Sequence, residues 1–471
     1  MKKKALASLV WVLAADVMAE SSPTTAMDLY VDPQTQQLFA QPGPGRERLG
    51  RFARIDDKPQ GVVVPGPQPT PSPANGRMPA TTADVATPQP VRERAWYERL
   101  GLRGYMQLRY NHKLNDSASL LRAPGDRFIG DRQNLGIRRA RLVISGDLND
   151  RVSLYLQPDL ASTPTGSSTS NFAQLRDAYA DIYLDTRKEW RVRAGQSKVP
   201  YGWENLQSSQ NRIAPDRADA LNAGVRDERD LGLFLYYTPR VAADRFKYLV
   251  QSGLKGSGDY GIVGLGVYNG QGANRSEQNN NMHTVLHLTY PFRFDNGQFL
   301  EVGADAYTGR FKVTSLSSIT ADGQSFTPRD STGARGALDQ RVAAHVIYYP
   351  QPFGFQAEWT VGRGPELDLA NRTIRQRSLR GGYVQAMYKI DGAGGSLVPY
   401  VKWQTYRGAS KFDTNAPRFL LNEVEAGVEW QVSKALEIAI AYANMRRTHL
   451  ANAPYRRVQG DLLRMQLQVN Y

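Results

Sequence analysis

The chain has 471 residues, no cysteine, 42 glycines, 24 tyrosines and a formal net charge of +14. Its mean hydropathy is −0.50, and beyond the first twenty residues no apolar run reaches the length of a membrane-spanning helix. A helical membrane protein is therefore excluded. A membrane element of alternating strands is not, because its polar half cancels the average.

Lys2, Lys3 and Lys4 open the chain, and Ala5 to Met18 is mostly apolar apart from Asp16. Val17-Met18-Ala19 offers a small-residue cleavage site before Glu20, so residues 1–19 read as an export signal. An exported chain without cysteine cannot rely on disulfides, which suits a fold closed by backbone hydrogen bonds. Residues 20–58 are a short mixed segment, a small hairpin or a piece that docks elsewhere, expected in the periplasm. Residues 59–95 form a Pro-rich linker: nine prolines fall in positions 59–90, and such a stretch cannot bury enough apolar surface to order itself.

From residue 96 to 471 the texture is uniform. Segments of nine to twelve residues alternate apolar with polar, separated by turns rich in Gly, Asn, Asp and Pro. In Asp461 to Tyr471, Leu463, Met465, Leu467, Val469 and Tyr471 share one face, while Arg464, Gln466, Gln468 and Asn470 share the other. The repeat is two, not 3.6, so a helix is ruled out. Soluble strands run about five or six residues, whereas a tilted membrane strand needs about nine to eleven. The long kind dominates here.

Candidate strands lie near 103–111, 135–146, 151–159, 174–185, 189–198, 228–238, 259–269, 282–291, 298–309, 338–349, 353–363, 380–390, 396–407, 420–432, 435–446 and 459–471. A seventeenth, 245–254, has no long loop beside it and reads as part of an enlarged inner-rim turn, since such barrels have even strand numbers. Short turns (147–150, 185–188) alternate with long polar segments (112–133, 160–173, 200–226, 270–281, 310–337). That asymmetry predicts an all-β fold: a transmembrane antiparallel β-barrel of sixteen strands, wide enough to hold water. Tyr348, Tyr349, Trp359, Trp403, Tyr406, Trp430, Tyr442 and Tyr471 fall near strand ends, where an interfacial girdle would stand.

Four runs then bear on family. RVRAGQSKVPYGWE (Arg191 to Glu204), RRARLVISG (Arg138 to Gly146), RDERDLGLFLYY (Arg226 to Tyr237) and VYNGQGAN (Val267 to Asn274) resemble the phosphate-selective porin O/P family over roughly residues 101–471. The resemblance implies a sixteen-stranded outer-membrane porin that assembles as a homotrimer and passes phosphate or polyphosphate. The first hundred residues are not covered by it, and segment 239–258 is longer than the family's usual turn.

A channel selects by the charges of its lumen and by the loop that narrows it. With the 12 basic and 10 acidic residues of the first hundred set aside, the rest carries 47 basic against 35 acidic residues. On the face opposite the apolar one fall Arg109, Arg139, Arg141, Arg191, Arg193, Arg341, Lys389, Lys402 and Arg464. The pairs 139/141 and 191/193, placed on neighbouring strands, would form a row of guanidinium forks suited to phosphate. Asp177, Asp181, Glu301, Asp305, Glu358, Glu423, Glu425 and Glu429 face the same way, so many of these arginines would instead pair across the lumen. Segment 200–226, with Arg212, Arg217 and Arg226, is the candidate constriction loop, largely on the resemblance.

The function expected is passive diffusion of small anions, with outer-membrane lipid as the surroundings. The rivals are a carboxylate-uptake porin and a plugged barrel acting as an enzyme or surface-attachment protein. Enzyme signals are weak. Gly195-Gln196-Ser197-Lys198-Val199 lacks the last glycine of a nucleophile elbow, no phosphate-binding P-loop is present, and Gly264 to Gly270 misses the dinucleotide spacing. His283 and His287 share a strand face with no nearby carboxylate in sequence, and read as lumen side chains. No cofactor and no catalytic or metal-binding residue is expected, and no basic cluster is dense enough for nucleic acid.

Overall fold

The computed structural model describes residues 27–31, 38–39, 47–52, 95–114, 134–162, 171–449 and 456–471. The export signal and the proline-dense stretch 59–90 lie outside the described residues. The chain divides into two compact units, Met1–Gln89 and Pro90–Tyr471. In the first, Met27–Val31 is the middle strand of a small antiparallel sheet, flanked by Leu38–Phe39 and Glu47–Phe52.

The second unit is a closed barrel of sixteen antiparallel strands. The first eight are β1 (Leu100–Lys113), β2 (Asn134–Asp147), β3 (Val152–Ser162), β4 (Phe172–Tyr183), β5 (Trp190–Lys198), β6 (Arg229–Tyr237), β7 (Val263–Tyr268) and β8 (His283–Arg293). The others are β9 (Phe299–Phe311), β10 (Ala337–Tyr348), β11 (Phe353–Asp368), β12 (Thr373–Tyr388), β13 (Gly395–Ala409), β14 (Arg418–Gln431), β15 (Leu436–His449) and β16 (Arg456–Asn470). Each pairs with its successor, and β16 pairs with β1 from Leu462↔Lys113 to Asn470↔Tyr105, so no strand edge is left open. At that seam Gly104 exchanges backbone hydrogen bonds with Tyr471. A Cβ there would stand 2.5 Å from the Tyr471 ring, so only glycine admits it.

The barrel is apolar outside and charged within. On β10, Val342 and Val346 are 53% and 43% exposed on the outer face, while Arg341 and His345 are buried on the inner one. Apolar surface on this scale is stable only against lipid. No helix among the described residues is long and apolar enough to cross a membrane.

The sixteen strands and their order match the sequence reading, with instructive departures. β11 and β12 each run 16 residues and are joined by only 369–372, whereas the pattern lost them at 363 and regained them at 380. Glu366, Asp368, Arg375 and Arg377 break the alternation there, because a hairpin rising beyond the bilayer needs no apolar face. The doubtful segment 245–254 falls mostly on a helix, α1 (Arg240–Gln251), whose buried residues Ala242, Phe246 and Leu249 keep a helical spacing. Trp359, Trp403, Trp430, Tyr442 and Tyr471 are exposed on the outer face. Tyr349 and Tyr406 are buried instead: Tyr406 shares the inward phase of Lys402, and Tyr349 donates to Glu301 Oε2 at 2.6 Å.

Candidate channel and its constriction

Two inserts leave the wall and fill the lumen. The first is 199–228, between β5 and β6, mostly buried and with no exposed residue. Gly202 begins it with φ +85°, a turn only glycine takes without strain. Its N–H donates to Asp305 Oδ2 of β9 at 2.8 Å. The next two N–H groups, of Trp203 and Glu204, donate to Glu358 of β11 at 2.6 and 3.1 Å. Two wall carboxylates thus cap the exposed donors of the turn Trp203–Leu206. Val199, Tyr201, Ala218, Ala220, Leu221 and Val225 then pack on Tyr307, Ala343, Tyr383 and Tyr406 of the wall.

At the far side of the loop, Asp216 accepts two hydrogen bonds from Arg109 Nη1, both 2.8 Å, and ion-pairs with Arg464. Burial pushes the Asp216 carboxyl up, but the Arg109 and Arg464 guanidiniums hold it well below the usual carboxylate range. Its clamp therefore persists below the ordinary aspartate pKa and is lost only as pH falls through the lowered value. Breaking a buried pair from one side costs about 3–5 kcal/mol. Asp216→Asn is thus expected to give flickering sub-conductance in planar bilayers, with the heat-modifiable gel mobility of a folded barrel unchanged. Native, quiet steps from that variant would contradict the clamp.

The second insert, 238–262 between β6 and β7, enters from the short-turn rim. Leu249 of α1 and Leu254 after it pack with Trp203, Phe299, Ile347 and Tyr349. The chain then crosses the bore. β6 and β7 are the sixth and seventh strands of the ring, and Lys255 reaches the fourteenth and fifteenth, eight places away. Its Nζ ion-pairs with Glu437 at 2.7 Å and Glu429 at 3.0 Å. Gln207 Nε2 donates to its carbonyl at 2.6 Å, tying this crossbar to the first insert. Lys255 itself holds φ +66°, a conformation a lysine keeps only where its surroundings fix it. Only the turn's unusual length pointed to the crossbar in the sequence.

The sequence-predicted cations all lie in or beside the lumen except Lys389, which ion-pairs with Asp391 beyond the end of β12. Most are already engaged. Arg193 is bidentate to Asp181 at 2.7 and 2.8 Å, and Arg191 bonds Asp259 at 3.0 Å. Arg141 bonds Asp159 at 2.7 Å, Arg217 pairs with Glu228, Lys402 with Glu204, and Arg464 also with Glu425 at 2.9 Å. Arg226 lies 3.9 Å from Asp227, and Arg341 donates to the Ala220 and Ala223 carbonyls of the loop. The expected row of 139/141 beside 191/193 is not formed, because β2 and β5 are separated by β3 and β4.

Arg139, Arg212 and Lys198 in the lumen have no carboxylate partner among the described residues. Arg139 Nη1 donates to Gln107 at 2.7 Å and its Nε has no partner. Arg212 Nε also lacks one; burial lowers Arg212 to about 10, so it stays charged at neutral pH. Lys198, which the sequence reading passed over, donates to the Leu206 and Gln207 carbonyls at 2.7 and 2.8 Å. These belong to β2, β5 and the first insert.

Across the lumen, on β9 and β11, stand Glu301, Asp305 and Glu358, with His287 and His345 beside them. Asp305, His345 and Glu358 each bring one oxygen or nitrogen within 4.8 Å of the others. His287 Nδ1 lies 2.5 Å from Asp305 Oδ1. The carboxylate missing beside His287 in sequence is thus supplied by the next strand, where Asp305 is its register partner. All six oxygens of the three acids already accept hydrogen bonds: from Thr289 and Tyr349, from His287 and Gly202, and from Trp203 and Glu204. The basic side keeps two guanidinium Nε groups without partners; on the acidic side every carboxylate oxygen already accepts one hydrogen bond.

A sixteen-stranded barrel with an apolar exterior, a charged bore and an infolded loop is an outer-membrane porin. The family model described as phosphate-selective porin O and P matches residues 113–471, and the chain belongs to that family. No curated protein matches it. Among solved structures it is similar to the outer-membrane channel DcaP of Acinetobacter baumannii, at 13% identity over 79% of this chain and 97% of that one, with a TM-score of 0.47. It is also similar to OmpT of Vibrio cholerae in its trimer form (10%, 79% and 99%, TM-score 0.47) and to an anion-selective porin from Comamonas acidovorans (11%, 79% and 99%, TM-score 0.43).

Proposed function

We propose that this porin passes small anions along the wall formed by Arg139, Lys198 and Arg212, and that tetrahedral oxyanions of the phosphate class are its favoured cargo. The carrying observation is the asymmetry between cations that no carboxylate pairs and carboxylates that are each already hydrogen-bonded. Arg139 and Arg212 give this wall positive charge that no carboxylate cancels, while each oxygen of Glu301, Asp305 and Glu358 already accepts one hydrogen bond. Guanidinium suits phosphate because its planar fork places two donors on one oxyanion. The family resemblance supports the same reading, and with it assembly of three copies; removal of residues 1–19 and a periplasmic place for residues 20–95 rest instead on the basic start and apolar run of the sequence.

Inorganic phosphate is therefore expected to block chloride current through single channels. A hydrogen bond to a charged group contributes about 1.5–3 kcal/mol. Arg139→Gln with Arg212→Gln should thus raise the half-blocking concentration by about tenfold or more. A channel blocked equally well by a small dicarboxylate would favour the carboxylate-uptake reading. One whose phosphate block ignores both changes would place the binding elsewhere.

A further inference from the structure

We propose that the outer face of β11, β12 and β13 is a docking site for the phosphorylated headgroup of an outer-leaflet glycolipid of the lipid A type. Arg380 and Arg407 are direct cross-strand partners, and both side chains are exposed on the outward face. Like charges directly opposite on a sheet repel unless an anion lies between them. Arg363, also exposed, pairs with Ser378, two residues from Arg380 on the same face. None of the three makes an ion pair with a carboxylate among the described residues.

Their height argues for a lipid headgroup. Counted from the short-turn rim, the outward residues of β11 run Phe353, Phe355, Ala357, Trp359, Val361 and then Arg363. Those of β13 run Leu397, Pro399, Val401, Trp403, Thr405 and then Arg407. About ten tilted residues span the apolar band of an outer-membrane barrel. The arginines thus stand at its outer edge, four residues above Trp359 and Trp403, whose rings stack with centroids 6.3 Å apart. Arginine is costly within the apolar band and well placed at its border with phosphates.

Beside them lies a groove of about 660 Å³ in the outer surface, lined by Leu265, Leu286, Val342 and Val361 together with Gln340 and Arg363 itself. Gln340 holds the Arg363 guanidinium in place, accepting from its Nε at 3.0 Å and donating to Thr308 at 2.8 Å. Charge above and an apolar trough below are what an acylated, phosphorylated lipid requires.

The test uses the full-length porin in detergent, titrated with diphosphorylated lipid A and with its dephosphorylated form, bound lipid being counted by native mass spectrometry. The diphosphorylated lipid should bind, and R363Q/R380Q/R407Q should weaken it at least tenfold while conductance and gel mobility stay native. The dephosphorylated lipid should bind weakly to both proteins. Equal binding by wild type and variant would overturn the proposal. So would full competition by inorganic phosphate alone, or a variant that loses its oligomer instead of its lipid.

Discussion

Replacing Lys255 by alanine is expected to open the bore. The ammonium is the only cation paired with Glu429 and Glu437 among the described residues, and its loss leaves two carboxylates facing a crossbar no longer anchored to the far wall by charge. Breaking a buried ion pair from one side costs about 3–5 kcal/mol, which is about two to four orders of magnitude in the ratio of open to closed crossbar. Single-channel recordings should then show a larger conductance step than the native pore. Lys255→Arg should keep the native step, because it keeps the charge and its two partners. Glu429→Gln with Glu437→Gln should open the bore as alanine does. A barrel of native gel mobility and unchanged conductance in the alanine variant would show that 252–258 does not limit flow.

The second large effect concerns charge. Neutralising Arg139, Lys198 and Arg212 together to glutamine should abolish the proposed preference for chloride over potassium and turn it toward the cation. At an effective dielectric of about 20, one unit charge acts on another 4 Å away with about 4 kcal/mol, well above the 1.4 kcal/mol of a tenfold change. Removing three unpaired charges therefore leaves the opposite wall, with Glu301, Asp305 and Glu358, to set the field. Removing whole pairs instead, Arg193 with Asp181 and Arg191 with Asp259, to Gln and Asn should do much less to selectivity, because each pair already sums to zero charge. The main result of that change should be a less stable wall at β4 and β5.

How far the sequence reached is instructive element by element. Strand positions were legible because the bilayer imposes a repeat of two on every outward side chain, as along Leu463, Met465, Leu467 and Val469. Where that pressure ends, above the membrane in β11 and β12, the pattern faded and the strands went unseen. The inward phase of Arg109, Arg139, Lys402 and Arg464 was equally legible. Which of them carry an uncompensated charge was not, because pairing depends on residues brought together by closure of the ring. Arg109 and Asp216 are 107 positions apart, and Arg464 and Asp216 are 248. Lys255 sat in a segment set apart only by its length, and its glutamate partners lie on the far wall.

The zero-current potential of the native pore across a potassium chloride gradient tests the central claim most directly. With uncompensated cations on the wall of β2 and β5 and hydrogen-bonded carboxylates on β9 and β11, chloride should outrun potassium, so the dilute side becomes negative. A dilute side that becomes positive would mean that Glu301, Asp305 and Glu358 govern the passage, and would contradict the account.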